Sequence, residues 1–391
     1  MKILVASPTF PPNKDGVSEA ASAAVKAFLD EGWKVDVATE PTFPSRNTLN
    51  WNGAKIYEFK ISGSSYFRDP YKGATGQYSD FLRAGDWDVI LFQSYAWPLY
   101  LAVPHLDVIP SKKILVSHGF SALFWTPSSR FPFGLLFFAY SFIQSLLMLG
   151  WLKKIDRLVV LSAHPDLRAF YDHTLANIVN HSGVRTIPNG VDLSYSNVSP
   201  RLGRFRQGAG VPPKSMLFLC VANYCLRKDQ GFAARAFRQA AIPNSTLVFI
   251  GSEFNDSSAA FQTADAHWAL PGAPEKIVWL EKQSRETTLD ALADCDVFVL
   301  SSYWEAQPIA ILEAMAENKP WIARNAGCIA EMPGGFCVNS VTGMAQAMRK
   351  LAQDSHLRSE LGRLGREAVD RLYNRKIFSS SFCRLILEVC T

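Results

Sequence analysis

Two glutamates stand close together in the stretch YWEAQPIAILEAMAENKPW, residues 303–321. A helix is expected to open at Pro308, because proline suits a first helical position and apolar residues then recur at helical spacing. Glu305 precedes this helix, and Glu313 shares a face with Ile309 that should be buried. A carboxylate on such a face is costly unless a partner satisfies it. Glu313 is therefore expected either to pair with an arginine or lysine or to bind a ligand.

A nucleotide is the ligand that this pattern favours. Two neighbouring hydroxyls of a ribose would satisfy both carboxylate oxygens of Glu313. The N-terminus of the same helix would offer N–H groups and a positive dipole end to a phosphate, beside Glu305 and Pro308.

Two further candidates follow strands in the first half of the chain. Gly16 stands in the loop after the first strand, and Ser18 is placed to cap a helix over about 19–30. A glycine there lets backbone approach a phosphate or sugar closely, although an ordinary loop glycine fits the pattern too. His118 ends the strand in KKILVSHGF, where it contacts a ligand or serves the structure.

Charged residues mark other strand ends. Arg227 and Lys228 lie at a turn into a helix, where they could neutralise a diphosphate leaving group or form a solvated basic turn. Two Asp-x-Asp sequences, at 86–89 and 294–297, stand before buried strands and are interpreted as strand-start residues, not as a metal site. The sequence contains no serine or cysteine triad pattern, no zinc-protease pattern and no Walker sequence.

Whole-chain properties narrow the class of protein. At 391 residues the chain exceeds one ordinary core, so two domains are expected. A net charge of +5 does not indicate nucleic acid as a partner. Seven cysteines without CxxC pairs are typical of free thiols in a reducing compartment, and Met1 leads straight into a strand. These features predict a cytoplasmic protein.

Apolar runs alternate with helical segments in both halves of the chain, which predicts two doubly wound parallel-sheet α/β domains with ligands at the carboxyl ends of the strands, in a cleft between them. The runs in the first half are KILVAS, WKVDVAT, AKIYEFK, WDVILFQS, KKILVSHG and RLVVLSA. Those in the second half are MLFLCVAN, STLVFIGS, KIVWLE, DVFVLSS and PWIARNA. A segment rich in Gly, Ser, Pro and Arg suggests a linker at 196–212.

One apolar segment suggests a membrane contact. Residues 131–152 are mostly apolar and lie between basic residues, including Lys153 and Lys154. A true span would separate the two domains that share the cleft, so the choice is between a buried helix and a helix that docks on a membrane face. Apolar residues all round the segment favour docking, and a docked helix favours a lipid-linked acceptor.

Four stretches together carry a family resemblance. SYWEAQPIAILEAMAENKPWIARNAGCIAE, RTIPNGVDL, VANYCLRKD and PTFPPNKDGVSE resemble the retaining glycosyltransferases of family 4 (glycosyl transferases group 1), which have the two-domain GT-B fold. The likeness covers nearly the whole chain in the family's order. It implies an N-terminal domain over 1–195, the linker, a nucleotide-sugar domain over 213–372 and a final helix, 373–391, that returns to the first domain.

The resemblance also implies roles for the candidate residues. Glu313 would hold the ribose of the nucleotide sugar, and Glu305 would face the donor sugar. His118 would lie near the sugar hydroxyls and the site of attack, Lys228 at the diphosphate, and Gly16 under the phosphates. Backbone N–H groups of the segment after Glu305 would reach the sugar or phosphate, and this segment consists of Gln307, Pro308, Ile309 and Ala310.

Some positions depart from the family's pattern. Asn223, Tyr224 and Cys225 stand where many members have an arginine, so Arg227 is a substitute candidate as the partner of Lys228. The usual Gly-Phe after the first glutamate is Ala-Gln at 306–307, and the later Gly-Gly is Gly-Cys at 327–328. Such changes would affect the choice of sugar.

The function implied is transfer of a hexose-type sugar, with retention, from a UDP-, GDP- or ADP-sugar to a sugar or lipid-linked hydroxyl acceptor, with neither a metal nor a cofactor. Attack on the face from which the diphosphate departs is favoured over a double displacement through Glu305. The alternatives are a non-catalytic sugar-nucleotide-binding protein and another GT-B chemistry, such as a sugar-nucleotide epimerase or a phosphorylase.

Overall fold

The chain divides into two compact units. Unit 1 comprises Met1–Asn189 and Arg375–Thr391, and unit 2 comprises Gly190–Asn374. The structure, a computed structural model, describes residues 1–13, 15–43, 45–64, 69–119, 133–164, 171–193, 202–269 and 275–391, without the side chains of 133–141 and 144.

Unit 1 alternates strands and helices along the chain. Its strands are β1 (Lys2–Ala6), β2 (Lys34–Thr39), β3 (Asn50–Trp51), β4 (Ala54–Glu58), β5 (Ile61–Ser62), β6 (Lys72–Gly73), β7 (Val89–Gln93), β8 (Lys112–Val116), β9 (Arg157–Val160) and β10 (Val184–Thr186). Its helices are α1 (Gly16–Asp30), α2 (Thr75–Ala84), α3 (Trp97–Ala102), α4 (Phe133–Leu152), α5 (Tyr171–Ile178) and, from the end of the chain, α13 (Arg375–Cys390). A 3₁₀ turn follows α3 at Val103–His105.

The main sheet of unit 1 has the strand order β10-β9-β8-β7-β1-β2-β4-β3, and β5 and β6 form a separate pair. Neighbouring strands of the main sheet are parallel except β3 and β4. The strand order reverses at β1, between β2 and β7, so the carboxyl ends of β1 and β7 form the point where such sheets bind ligands.

Both faces of this sheet are covered by apolar side chains. On one face α1 and α13 pack against the strands, with Phe28, Phe378, Phe382 and Ile386 buried. A second cluster, on the other face, includes Tyr78 and Trp97. The final helix thus groups with unit 1, starting at Arg375 where the sequence suggested 373.

Unit 2 repeats the same alternation. Its strands are β11 (Met216–Val221), β12 (Ser245–Gly251), β13 (Glu275–Glu281), β14 (Val297–Leu300), β15 (Trp321–Arg324) and β16 (Gly335–Val338). Its helices are α6 (Arg204–Gly208), α7 (Gln230–Ala240), α8 (Asp256–Trp268), α9 (Arg285–Asp294), α10 (Ile309–Ala316), α11 (Val341–Gln353) and α12 (Ser355–Ala368). A 3₁₀ turn at Ile329–Glu331 and a π-helical turn at Val369–Tyr373 complete the unit.

The six strands of unit 2 are all parallel, in the order β13-β12-β11-β14-β15-β16. The order reverses at β11, so the loops after β11 and β14 face the ligand-binding edge. Phe218, Phe237, Met344 and Met348 belong to a buried cluster between the sheet, α7 and α11. The predicted fold class of two doubly wound α/β domains is confirmed, and β3, β5, β6, β10 and β16 are strands that the apolar runs did not predict.

The predicted linker at 196–212 differs from the observed division. The boundary lies at 189/190, inside the IPNGVD motif, and residues 202–212 belong to unit 2. Here α6 is fastened to α9: the backbone N–H of Gly203 donates to Asp294 at 2.6 Å, and Arg206 donates to the Asp294 carbonyl and to Asp296. The described part of the predicted linker, 202–212, is therefore held by specific hydrogen bonds, and residues 196–201 lie outside the described ranges.

The two Asp-x-Asp sequences lie at strand starts, as predicted. Asp88 accepts the backbone N–H of Lys2 at 2.8 Å, and Asp296 accepts that of Leu217 at 2.7 Å. Each carboxylate thus satisfies the first residues of a neighbouring strand, β1 in unit 1 and β11 in unit 2.

The apolar segment predicted over 131–152 is helical from residue 133 as α4, and residues 131 and 132 lie outside the described ranges. Met148 and Leu152 of this helix are buried, whereas Phe142, Ile143, Leu146 and Leu147 are each about half exposed. None of the helices in the described ranges is both long and apolar enough to cross a membrane.

Candidate functional site

Two loops meet at the carboxyl edge of the sheet in unit 2. The backbone N–H of Tyr303, after β14, donates to the carbonyl of Arg227, after β11, at 2.8 Å. The Ser301 hydroxyl donates to the carbonyl of Lys228 at 3.0 Å. Because β11 and β14 are neighbours, these bonds hold two predicted site loops together at the point where the strand order reverses.

Lys228 and Glu305 form an ion pair across these loops. The Lys228 ammonium lies 2.5 Å from Glu305 Oε1, with side-chain exposures of 17% and 9%. Breaking so buried a pair by removing one partner costs about 3–5 kcal/mol, because the other charge is left uncompensated. The sequence predicted both residues as site residues but not their contact.

The segment after Glu305 leads into α10, which begins one residue later than predicted. Pro308 is the N-cap, with φ −74° and ψ 114°, and the helix starts at Ile309. Gln307 and Pro308 are buried, and Ile309 and Ala310 are half-buried. The N–H groups of the first helical turn therefore begin directly after the Glu305 loop, as the sequence suggested.

Glu313 lies at the edge of α10, and not on its buried stripe as predicted. The buried residues of this helix are Ile311, Leu312, Ala314, Met315 and Ala316. The Glu313 carboxylate, 16% exposed, pairs through Oε1 with the guanidinium of Arg285, the first residue of α9. The ion pair that the sequence left open as an alternative is therefore present.

Two arginines lie on the segments beside the Lys228–Glu305 pair. Arg227 lies over the ring of Trp304, 5.4 Å from its centroid. Arg324, at the end of β15, pairs with Asp229 at 2.9 Å. Its guanidinium also lies 4.9 Å from the centroid of the Tyr303 ring. Together with Lys228, these arginines give the carboxyl edge of the sheet a set of cations suited to a diphosphate.

Gly327 packs tightly against the Glu305 loop. Its φ is +56°, and an added Cβ would lie 2.3 Å from the carbonyl oxygens of both Glu305 and Ala306. The next residue, Cys328, donates its N–H to the Ala306 carbonyl at 3.0 Å. Burial raises the pKa of the Cys328 thiol to about 12, against a hydrogen bond from Gln307 that lowers it. Lack of space therefore requires a glycine at position 327, the first of the family's Gly-Gly pair. Cys328, at the second position of that pair, is a buried and unreactive thiol.

In unit 1, Asp15 and not Ser18 caps α1. The Asp15 carboxylate accepts the N–H groups of Val17 and Ser18, each at 3.0 Å, and the helix begins at Gly16. Ser18 instead donates its hydroxyl to the Asn13 carbonyl at 2.8 Å. Gly16 has open space around the position of a Cβ, and its φ is not left-handed. The described residues therefore leave space beside Gly16, while the Asp15 carboxylate already holds the N–H groups of Val17 and Ser18.

His118 follows β8 and hydrogen-bonds a residue that the sequence analysis missed. Its Nε2 lies 2.7 Å from Oε1 of Gln93, the last residue of β7. An amide oxygen can only accept, so His118 carries its proton on Nε2 and leaves Nδ1 as an acceptor. Burial lowers the pKa of His118 to about 4, while the negative charge of Asp15 acts to raise it. The ring is therefore neutral at pH 7.

Gln93 is fully buried, and its amide nitrogen Nε2 has no hydrogen-bond partner within the described part of the chain. Two residues after Gln93, the Tyr95 hydroxyl donates to the buried carboxyl of Asp172 at 3.3 Å, and burial raises the pKa of Asp172 to about 6. A polar group that ends an apolar strand is the same signal that identified His118, so Gln93 could have been found by that rule.

Arg285 and Arg324 were missed for different reasons. Arg324 ends the apolar run PWIAR, so the strand-end rule would have selected it. Arg285 lies 28 residues from Glu313 along the chain, and no local pattern joins them. Within the described residues, no group of three His, Cys, Asp or Glu side chains is arranged to hold a metal ion.

Comparison with known proteins agrees with this architecture. Residues 215–354 match the family described as Glycosyl transferases group 1. A UDP-Gal:alpha-D-GlcNAc-diphosphoundecaprenol alpha-1,3-galactosyltransferase of Escherichia coli is 30% identical over 149 residues, which make up 36% of this chain and 36% of that enzyme. The chain thus aligns with about a third of the length of this curated relative.

Solved structures match over nearly the whole chain. Sucrose-phosphate synthase from Thermosynechococcus elongatus has a TM-score of 0.78 at 17% identity, covering 99% of this chain and 98% of its own. Anabaena HepE in complex with UDP has a TM-score of 0.74 at 15% identity, covering 99% and 100%. WaaG, a glycosyltransferase involved in lipopolysaccharide biosynthesis, has a TM-score of 0.68 at 15% identity, covering 98% and 99%. The chain therefore has the GT-B fold, and its residues 215–354 carry a Glycosyl transferases group 1 domain.

Proposed function

We propose that this protein is a retaining glycosyltransferase that moves a hexose-type sugar from a nucleoside-diphosphate sugar to a hydroxyl acceptor. The observation that carries the proposal is the Lys228–Glu305 pair, held where the strand order of unit 2 reverses and directly before the start of α10. Glu313 and Arg227 stand on the same two segments. This arrangement offers a cation, helix N–H groups and a carboxylate to one nucleotide sugar.

Lys228 would exchange partners during the reaction. Its ammonium neutralises Glu305 in the structure and would neutralise the diphosphate as the sugar–phosphate bond breaks, with Arg227 beside it. The N–H groups from Gln307 to Ala310, proline excepted, would add hydrogen bonds to the sugar or phosphate. Preorganised donors that stabilise the departing charge lower the activation free energy of such a reaction by roughly several kcal/mol.

The acceptor hydroxyl would attack on the face that the diphosphate leaves. A leaving phosphate oxygen takes the hydroxyl proton, the new glycosidic bond forms as the old one breaks, and the anomeric configuration is kept. Glu305 would face the donor sugar and Glu313 would bind the ribose. Because Lys228 and the helix N-terminus carry the charge stabilisation, we expect turnover to persist in the presence of a chelator.

His118 would act as a neutral hydrogen-bonding group near the sugar, since its pKa of about 4 keeps it uncharged at pH 7. Its Nδ1 can accept a hydrogen bond from a sugar hydroxyl, and Gly16 would let phosphate oxygens approach the start of α1.

We infer that α4 docks unit 1 on an anionic lipid surface. Phe142, Ile143, Leu146 and Leu147 recur at helical spacing, and each is between 48% and 57% exposed. The exposed Lys153 follows directly, a suitable partner for anionic head groups. The curated relative that shares 30% identity is named for a diphosphoundecaprenol acceptor, which supports a lipid-linked acceptor. With α4 docked, this acceptor would be met at the cytoplasmic membrane face.

Vesicle sedimentation tests the docking. The double substitution Ile143→Asp with Leu147→Asp should abolish sedimentation with phosphatidylglycerol vesicles, and Ile178→Asp, at another exposed apolar residue of unit 1, should not. Equal sedimentation of wild type with neutral phosphatidylcholine vesicles, or no loss in the double variant, would remove the anionic-surface proposal.

Turnover tests the transferase proposal. Purified protein is incubated with UDP-, GDP- and ADP-sugars and a membrane lipid extract, and donor consumption and sugar transfer are recorded. Glu313→Gln and Lys228→Met should each lose most activity, with thermal melting as a check that the variants fold. Nucleotide binding without turnover of any donor would identify a binding protein, and interconversion of donor sugars without transfer would identify an epimerase.

A further inference from the structure

Arg285 makes a contact that the function described above does not use. Its guanidinium bonds Oε1 of Glu313, the residue proposed for the ribose. The other oxygen, Oε2, accepts no hydrogen bond from the residues that the structure describes. One edge of the carboxylate is thus held while the other is open.

The position of Arg285 is unusual for a cation. It is the first residue of α9, where the helix dipole is positive and a cation is unfavourable. The Ser284 hydroxyl caps this helix by accepting the Thr287 N–H at 3.0 Å, so the start of α9 is fixed. An arginine kept at this unfavourable position indicates a contact that compensates its cost, and the ion pair with Glu313 is such a contact.

The Arg285–Glu313 ion pair joins α9 to α10 in unit 2. Glu313 is 16% exposed and Arg285 is 44% exposed, so the carboxylate is mostly enclosed and the guanidinium reaches it from the solvent side. An enclosed glutamate with a single fixed oxygen keeps one rotamer, because a second rotamer would separate the charges.

We propose that Arg285 is a positioning residue that holds Glu313 with Oε2 turned toward the two hydroxyls of a nucleotide ribose. This inference rests on the proposed function. Oε2 would accept one ribose hydroxyl, and the remaining lone pair of Oε1 the other. Arg285 also compensates the negative charge of Glu313, which would otherwise repel the diphosphate of the same ligand.

Ligands that differ only in the ribose distinguish a role of Arg285 in ribose binding from a general effect on nucleotide binding. Calorimetry gives the dissociation constants of uridine, guanosine and adenosine diphosphates, and the tightest is compared with its 2′,3′-dideoxy counterpart. Arg285→Gln should weaken the ribonucleotide about tenfold and the dideoxy compound less than about twofold. Arg285→Lys, which keeps one charged donor, should recover part of the loss.

Arg204→Gln is the matched control. Arg204 is also exposed and pairs with Glu286, the neighbour of Arg285 in α9, so its removal changes the net charge of the unit equally. We expect it to leave both dissociation constants unchanged. Thermal melting of each variant reports whether the unit still folds. If Arg285→Gln does not fold, Arg285→Lys is used for the comparison of the two ligands.

The possible results test three statements separately: the positioning role of Arg285, the ribose role of Glu313 and the proposed function. Equal weakening of both ligands by Arg285→Gln, or no weakening of either, overturns the positioning role. Absence of binding of any nucleoside diphosphate to wild type overturns the proposed function itself. Binding that Glu313→Gln leaves unchanged overturns the ribose role of Glu313, and the positioning role with it.

Discussion

Replacing Gln93 by glutamate should convert His118 from a neutral to a readily protonated residue. The wild-type ring donates from Nε2 to an uncharged amide oxygen at 2.7 Å, and burial lowers its pKa to about 4. The one charge identified as raising this pKa is that of Asp15. A carboxylate in the place of the amide would hydrogen-bond the same nitrogen and favour the imidazolium.

The size of the effect follows from the distance. Opposite charges about 4 Å apart interact by about 4 kcal/mol at an effective dielectric constant of about 20. Desolvation of the new carboxylate offsets part of this, and each pKa unit corresponds to about 1.4 kcal/mol. A net gain of about 3 kcal/mol would therefore raise the pKa of His118 from about 4 to about 6.

The assay is an NMR titration of the imidazole resonances. The protein has seven histidines, so His118→Asn assigns the signal. Gln346→Glu, at an exposed position of α11, is the control for an added charge and should leave the signal unchanged. A His118 pKa in Gln93→Glu within about half a unit of wild type would refute the reasoning, since it would mean that the two side chains do not share the hydrogen bond.

Stability should follow the same titration. In wild type the folded-state pKa lies below the ordinary value of about 6.5, so the unfolded state binds the proton first as the pH falls. The stability contribution is complete above about pH 6.5 and is lost as the pH falls toward 4, by about 2 kcal/mol for a half-buried ring. In Gln93→Glu most of this loss should disappear, because the folded and unfolded pKa values nearly coincide. Urea unfolding at pH 7.0 and pH 5.0 measures the difference.

Two further predictions concern unit 2. Gly327→Ala should destabilise the protein by more than about 2 kcal/mol, because the new Cβ meets two carbonyl oxygens and a positive φ costs about 1–2 kcal/mol by itself; urea unfolding should show no comparable loss for Gly16→Ala, where the space is open. Asp296→Asn should cost about 1–3 kcal/mol, because Asp296 binds both Arg206 and a strand N–H, whereas Asp86→Asn should cost clearly less at its exposed ion pair. Similar losses at the two aspartates in urea unfolding would contradict the account of the strand starts.

Much of the fold was predictable because its signals are local. Buried parallel strands need apolar runs, and each of the eleven runs identified in the sequence contains a strand of one of the two main sheets. The strands that were missed are short or lie at sheet edges, such as β3 and β16, where fewer apolar residues are needed. The linker was misjudged because composition does not report hydrogen bonds like those from Arg206 to the residues around β14.

The candidate site was predictable in its members but not in its contacts. Strand ends place Gly16, His118, Lys228 and Glu305 at the carboxyl edges of their sheets, because the direction of a parallel strand decides which edge its last residue occupies. The sequence by itself therefore determined the two α/β units and the strand-end locations of the candidate site residues.

Only the tertiary structure decided which side chains pair. Glu313 was open to an ion pair or a ligand from the sequence, and the packing of α9 beside α10 brings Arg285 to it. Likewise, the neighbouring positions of β7 and β8 join Gln93 to His118, and those of β11 and β14 join Lys228 to Glu305. Such partners are distant along the chain, and a charge or hydrogen bond acts only over a few ångströms, so three-dimensional packing alone selects them.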